Sequence, residues 1–378
     1  MINIGITGQA GFIGTNLYNE IGLQPEEFNR IPFEDNFFNN DNKLKEWVNE
    51  CDIIVHLAAM NRHNDPDVLY KTNIELVEKL INSMKACDSK AHIIFSSSTQ
   101  EEKENIYGES KRIGRKLLYK FSRINNSLFT GLVIPNVFGP FGHPYYNSFI
   151  ATFAHQLIHN EQPEIQVDGE VKLIYVGNLC KYIIKRIKEC SQDQNPESIE
   201  ALFVSHDFEK KVSDILNLFH TFKAQYFEKN IIPNLSNIIE INLFNTFRSF
   251  IDHEERYPVE LVKNTDQRGS FVEIIRLGIG GQVSFSTTVP GITRGNHYHI
   301  RKIERFTVIK GKALIQLRRI GSDKVLNFEL DGNQPSFVDM PIWYTHNIRN
   351  IGNEDLFTTF WINEFYDEND PDTYSEIV

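Results

Sequence analysis

The chain has 378 residues, 41% of them hydrophobic, and a formal net charge of −11, a size that suits two domains with packed cores. The acidic balance argues against nucleic acid as a partner, which needs clustered Lys and Arg to displace counterions, but it allows a nucleotide held by backbone dipoles. Four cysteines (Cys51, Cys87, Cys180 and Cys190) without paired spacing suit reduced thiols in a cytoplasm; no apolar run nears the roughly 18 residues of a membrane span, and the N-terminus enters a strand pattern with no signal core.

In chain order, the apolar runs at 2–6, 52–57, 91–95 and 129–134 read as strands, with helical periods at 73–84 and 111–121 between them. Such alternation predicts a parallel sheet covered by helices on both faces. From about residue 257 the texture changes to short β-rich runs spaced by turn residues. These runs fall at 271–275, 282–288, 306–309, 313–317, 336–338 and 357–362. The helical stretch 238–255 is the expected connector, which sets the domains at 1–247 and 248–378.

The first strand runs into Gly8-x-x-Gly11-x-x-Gly14, which opens a helix through Phe12 and Ile13. Glycine is needed there because side chains would keep a pyrophosphate from the helix N-terminus. Farther on, Tyr107 and Lys111 stand one helical turn apart. An ammonium beside a phenol favours the phenolate, so this pair is expected to exchange protons with a carbonyl or hydroxyl near neutral pH. The serine-rich strand end before it offers Ser98 as the hydroxyl on the substrate oxygen, with Ser97 and Thr99 as alternates.

In the second half, His297 and His299 alternate to one face of a strand. Glu304 follows after a bend, and His346 can arrive from a distant strand. Three imidazoles and a carboxylate suit a borderline divalent ion such as Zn²⁺.

The first half resembles the extended short-chain dehydrogenase/reductase family of nucleotide-sugar enzymes. The matching pieces are Thr7-Gly8-x-x-Gly11-x-x-Gly14, His56-Leu57-Ala58-Ala59, Asn73, Ser96-Ser97-Ser98, Tyr107-x-x-x-Lys111, Pro135-Asn136-Val137-Phe138-Gly139-Pro140 and Tyr175-Val176. The resemblance implies a Rossmann-like doubly wound sheet. It also implies that Leu57, Ala58, Ala59, Asn73 and Lys111 lie along the dinucleotide, with Asn136 and Asn147 nearer the nucleotide sugar. An acid that would hold a ribose hydroxyl is missing near the second strand, whereas Arg30 could pair with a 2′-phosphate, which favours NADPH.

The second half resembles the cupins, whose fold is a β-barrel. Gly291-x5-His297-x-His299-x4-Glu304-x6-Gly311 matches their first motif, and Pro341-x-Trp343-x-x-His346-x3-Asn350 the second, with Trp343 in place of the usual glycine. Asp266-x-Arg268-Gly269-Ser270-Phe271-x-Glu273 and the run from Gly291 to His297 resemble nucleotide-linked 4-keto-sugar 3,5-epimerases. That likeness implies that Arg268 and Arg294 face nucleotide phosphates. It makes His297 a base, a role a metal-bound imidazole cannot fill, so Lys302, Asp339 and Tyr344 stand as other candidates.

The pairing of the halves resembles the bifunctional capsular polysaccharide synthesis enzymes, in which an NADPH-dependent reductase is fused to a zinc cupin and the chain forms a homodimer. The resemblance implies C3 epimerisation and then C4 reduction of a UDP-2-acetamido-2,6-dideoxy-4-keto-L-hexose. The alternative is a 4,6-dehydratase or 4-epimerase whose cupin only binds and dimerises. A dehydratase would carry a carboxylate pair directly after Ser98, where Thr99 and Gln100 stand, although Glu101 and Glu102 are close behind.

Overall fold

The computed structural model describes residues 1–193, 196–267, 269–278 and 280–378, with backbone alone at 269–271. The chain divides into two compact units, Met1–Thr152 with Ile165–Asp214, and Phe153–Glu164 with Ile215–Val378.

The first unit holds β1 (Ile2–Thr7), α1 (Phe12–Gly22), β2 (Phe28–Ile31), α2 (Asp41–Glu50), β3 (Ile53–His56), α3 (Pro66–Ala86), β4 (His92–Ser98), α4 (Ile106–Asn125) and β5 (Phe129–Ile134). After these come β6 (Asn136–Phe138), α5 (Phe149–Ile158), β7 (Glu170–Tyr175), α6 (Val176–Gln192), β8 (Ile199–Phe203), β9 (Phe208–Lys211) and α7 (Val212–Phe222). The division between units falls within α5 and α7.

Six parallel strands form one sheet in the order β2-β1-β3-β4-β5-β8. β3 and β5 are buried at every position, as continuous apolar strands between helical layers must be. The strand order reverses about β1, and the crevice beyond the strand ends at such a point is where doubly wound sheets bind ligands. A smaller sheet, β6-β7-β9, completes this unit.

The second unit begins with helical segments: the end of α7, then β10 (Ile231–Ile232), α8 (Ile238–Arg248) and α9 (His253–Arg256). The strands follow: β11 (Val259–Glu260), β12 (Lys263–Asp266), β13 (Gly269–Val272), β14 (Arg276–Leu277), β15 (Gln282–Thr288), β16 (Thr293–Tyr298), β17 (Glu304–Lys310) and β18 (Lys312–Arg319). The last are β19 (Val325–Asp331), β20 (Ser336–Met340), β21 (Tyr344–Asn350), β22 (Leu356–Ile362) and β23 (Tyr374–Ser375). Two five-stranded sheets, β11-β20-β17-β22-β15 and β19-β18-β21-β16-β23, share one apolar core. Val308, Phe337 and Leu356 enter it from one sheet, and Ile315, Phe328 and Ile348 from the other.

The boundary expected at 247/248 falls inside this second unit. Buried polar contacts are the reason. Tyr226 Oη donates to Asp339 Oδ2 at 2.6 Å, and Arg305 makes bonds of 2.7 and 2.9 Å to the same carboxylate. Arg248 donates to Met340 O at 3.3 Å, and Asn245 to Arg301 O at 3.1 Å. A buried carboxylate left without these donors would be strongly destabilising, so residues 215–256 pack with the sheets instead of linking to them.

Candidate active site and metal centre

The turn after β1 is shaped by two glycines. Gly8 sits at φ 68°, in the left-handed region. A Cβ on Gly14 would come within 2.2 Å of the Gly8 carbonyl oxygen, so a side chain cannot fit. No side chain caps α1, which starts after Gly11, and this leaves its N-terminal amides as a cradle for an anion. Thr7 Oγ1 accepts from Ala58 N at 3.3 Å and meets His56 Nδ1 at 2.7 Å. That bridge holds the end of β3 against the glycine turn.

These elements open a cavity of about 790 Å³. Gly8, Gly11, Phe12, Ile13, Gly14, Leu57, Ala58 and Ala59 are among the residues that line it, and so are Ser98, Tyr107, Lys111, Asn136 and Asn147. The helix carrying the Tyr–Lys pair is fixed at its start, where Asn105 Oδ1 accepts from Gly108 N at 2.8 Å.

Burial reverses the expected electrostatics of that pair. Lys111 is 3% exposed. Its Nζ lies 3.4 Å from Ser96 Oγ and 4.7 Å from the Phe95 ring centre. Burial pushes its pKa down to about 7. Burial, with the neighbouring Tyr146 phenol, pushes the Tyr107 phenol up instead of down. Tyr107 is therefore a protonated acid in this state, the form that donates a proton.

Two expected residues lie off the cavity. Asn73 does not line the cavity: its Oδ1 accepts from Met60 N at 2.7 Å and its Nδ2 donates to Met60 O and Ser110 Oγ at 3.0 Å, which braces the wall from behind. Arg30 also lies off the cavity, where it donates to Tyr18 O at 3.1 Å and stacks on that tyrosine's ring. Ser98 reaches the cavity while its Oγ accepts from Gln100 N at 3.2 Å. Sequence reasoning gave no role to Tyr146, which lines the cavity and accepts from Asn61 N at 3.1 Å. Its only signal is the aromatic pair Tyr145-Tyr146 between glycine, proline and asparagine.

Glu101 is committed elsewhere. Arg115 grips it with two bonds of 3.1 Å, and Ser97 donates to it at 2.8 Å. Neither Glu101 nor Glu102 lines the cavity.

In the second unit, His297, His299, Glu304 and His346 meet with one ligand atom each, all within 4.8 Å of one another. The chain reaches this arrangement through a bulge. The β16–β21 register shifts between Gly295 and His297, so His297 faces His346 directly. Glu304 comes from the other sheet, at the start of β17. His299 Nε2 and His346 Nε2 lie 3.1 and 3.2 Å from Glu304 Oε2. All three atoms are buried without a well-formed hydrogen bond, which is expected of donors turned toward a shared ion.

The far ring nitrogens set the tautomers. His299 Nδ1 bonds to the carbonyl oxygen of Asp372, and His346 Nδ1 to Tyr344 O at 3.2 Å, which leaves each Nε2 as the lone-pair donor. Burial, then His346, pushes His297 down to about 4 and keeps it neutral. Burial opposes ionisation of Glu304, but the adjoining His299 and His346 rings outweigh it and hold the carboxylate ionised. This donor set fits a Zn²⁺-class ion.

Trp343 keeps the turn that glycine usually makes. It adopts φ 62°, a strained conformation for a bulky residue, and is stabilised by stacking on Tyr298 at 5.7 Å and donating its backbone N–H to His299 O at 2.7 Å. Arg294 is held by Thr288 Oγ1 and Thr287 O, each at 3.0 Å. Arg268 lies outside the described residues. Of the other base candidates, Asp339 is bound to Arg305 and Tyr226, Lys302 Nζ donates to Pro371 O at 2.8 Å, and Tyr344 packs on His253.

Comparison with known proteins places these features. The NAD dependent epimerase/dehydratase family matches residues 4–201. The chain belongs to this family. A nicotinamide cofactor goes with this family, and the glycine cradle at α1 fits a pyrophosphate. This epimerase/dehydratase family member is CapF-like along its whole length. It is 32% identical to capsular polysaccharide assembling protein CapF from Staphylococcus aureus, with a TM-score of 0.62 and 100% of both chains covered. It is 30% identical to UDP-2-acetamido-2,6-beta-L-arabino-hexul-4-ose reductase of Pseudomonas aeruginosa, over 98% of this chain and 97% of that one. The Polysaccharide biosynthesis C-terminal domain family matches residues 264–374. Among more distant structures, RMD from Pseudomonas aeruginosa complexed with NADPH shares the fold of the first part, at 17% identity and a TM-score of 0.51 over 58% of this chain and 81% of that one. Among the described residues, no helix is long and apolar enough to cross a membrane.

Proposed function

We propose that this chain is a bifunctional nucleotide-sugar enzyme of capsule or O-antigen synthesis. The second unit, a zinc cupin barrel, epimerises C3 of a UDP-2-acetamido-2,6-dideoxy-4-keto-L-hexose. The first unit then reduces the C4 ketone with NADPH, giving UDP-2-acetamido-2,6-dideoxy-L-talose on the way to UDP-N-acetyl-L-fucosamine. The working form is a cytoplasmic homodimer. The names of the full-length relatives support the substrate class and the polysaccharide setting.

The observation that carries the reductase reading is a protonated Tyr107 beside Lys111 in a cavity without Glu101 or Glu102. When bound, the nicotinamide supplies a hydride to C4. Tyr107 gives its proton to the oxygen that becomes the C4 hydroxyl, and Ser98 orients that oxygen. Lys111, one helical turn away, stabilises by its charge the phenolate that Tyr107 becomes. A dehydratase must also remove a proton and expel a hydroxyl, and the carboxylate nearest its usual place is locked to Arg115. NADPH as the reductant rests on the family resemblance, because Arg30 is turned to Tyr18.

The ketone makes the C3 hydrogen acidic, so epimerisation has to precede reduction. A bound metal ion would polarise a carbonyl oxygen as a Lewis acid. His297, His299, Glu304 and His346 would hold it, and the tautomers set through His299 and His346 keep two Nε2 atoms as donors.

The test is incubation of the protein with the UDP-4-keto sugar in D₂O, with NADPH or NADH, and analysis of the product by NMR. Stoichiometric cofactor oxidation with deuterium at C3 is expected. A turned-over substrate with no net cofactor oxidation would refute the reductase, and product without deuterium would refute the epimerase.

A further inference from the structure

The turn from Ile300 to Ile303 separates the ligands His299 and Glu304. Its shape decides whether an imidazole just beyond β16 and a carboxylate at the start of β17 can share an ion. Hydrogen bonds from the C-terminal tail hold that turn. Asp372 Oδ1 accepts from Ile300 N at 3.1 Å, and its Oδ2 accepts from Arg301 N at 3.1 Å and Lys302 N at 2.9 Å. The same residue's carbonyl oxygen accepts from His299 Nδ1. Asp372 is 2% exposed and sits at φ 43°, a conformation that a non-glycine residue keeps only where its surroundings fix it.

The neighbouring tail residues reinforce this clamp. Lys302 Nζ donates to Pro371 O at 2.8 Å. Beyond Asp372, β23 pairs with β16, setting Ser375 opposite His297 and Tyr374 opposite Tyr298. One short segment therefore touches the strand of one ligand, the ring of a second and the turn leading to a third.

We propose that Asp372 is the positioning residue of the metal centre. Its carboxylate moulds the turn between His299 and Glu304, and its carbonyl fixes the His299 tautomer. The inference rests on the metal reading above and extends it to a residue that donates nothing to the ion. Its effect is on affinity and ligand geometry, since partners in this position are worth about 10- to 100-fold in metal binding.

The experiment uses the full chain and Zn²⁺, with affinity measured by competition against a chromophoric chelator. Asp372→Ala, which keeps the carbonyl bonded to His299, is expected to bind zinc about 10-fold more weakly, at the lower end of the range for outer-shell partners, and Asp372→Asn, whose single carboxamide oxygen can serve only part of the three backbone N–H groups, to recover part of that loss. Asp372→Gly tolerates the left-handed backbone and keeps the carbonyl, so it carries the test if the alanine variant does not fold. Its Co²⁺-substituted form should show a visible spectrum shifted from wild type, because the His299–Glu304 geometry relaxes. Wild-type affinity together with an unshifted cobalt spectrum in the glycine variant overturns the proposal. A wild-type protein that binds no zinc overturns the metal reading, and this inference falls with it.

Discussion

The two sites are built over very different chain distances. Tyr107 and Lys111 stand one turn apart on α4, and Asn105 caps that helix at its start. The proposed metal cage draws on β16, the turn after it, β17 and β21, and it leans on a tail residue about seventy positions away. A local pair gets its geometry from one helix, and its surroundings change only its proton affinities. The cage gets its geometry from strand register, so one slipped residue would turn ligands to the wrong face. Substitutions should therefore act on chemistry in the first unit and on assembly in the second.

The largest effect is expected from Tyr107→Phe. Loss of a positioned acid should lower the reduction rate about 10²- to 10⁴-fold, while deuterium exchange at C3 continues at the wild-type rate. Loss of both activities would show that the sites are coupled, against the independence drawn above. His299→Ala should come next, with bound zinc falling by at least about 100-fold in affinity, since removing a ligand must exceed the effect of removing its partner. Elemental analysis after dialysis checks this, and unchanged metal content would contradict the cage.

Trp343→Gly sets backbone relief against lost packing. Glycine removes the strain of φ 62°, worth about 1–3 kcal/mol, but it gives up a buried indole, worth about 3–5 kcal/mol. A net loss of roughly 2 kcal/mol is expected, read as a lower urea midpoint for the second unit. A gain in stability would mean that the stack on Tyr298 contributes little.

A last effect concerns pH. Lys111 has a folded pKa of about 7 against an ordinary 10.5, so above pH 7 the unfolded chain holds the extra proton. Stability of the cofactor-free first unit should then rise with pH from about 7. Tyr107, raised from 10.0 by burial, reverses the trend above about pH 10, where the unfolded phenol ionises first. Lys111→Met should flatten the rise between those limits, and a slope unchanged in the variant would remove Lys111 as its source.

The same difference in chain distance explains what could be read beforehand. The glycine turn, the serine strand end and the Tyr–Lys spacing are local patterns, and β1, β4, β5 and α4 form where expected. The cluster of His297, His299, Glu304 and His346 could also be anticipated, because the three are the histidines that follow residue 253. Burial was not legible: spacing shows that Lys111 lies beside Tyr107, but not that Phe95 and Ser96 enclose its ammonium. Arg30 and Asn73 were assigned by position along the chain, and only the fold shows Tyr18 and Met60 as their partners. The role of Asp372 depends on contacts about seventy residues away, which no local pattern reports.

The way the chain is divided has a practical consequence. It passes from one unit to the other at 152/153, at 164/165 and at 214/215. No single scissile position or stop codon can release either half intact. A fragment beginning at 248 would lose Tyr226, the hydroxyl that shares Asp339 with Arg305. Dissecting the two proposed chemistries therefore calls for point substitutions in whole protein rather than for truncated expression products.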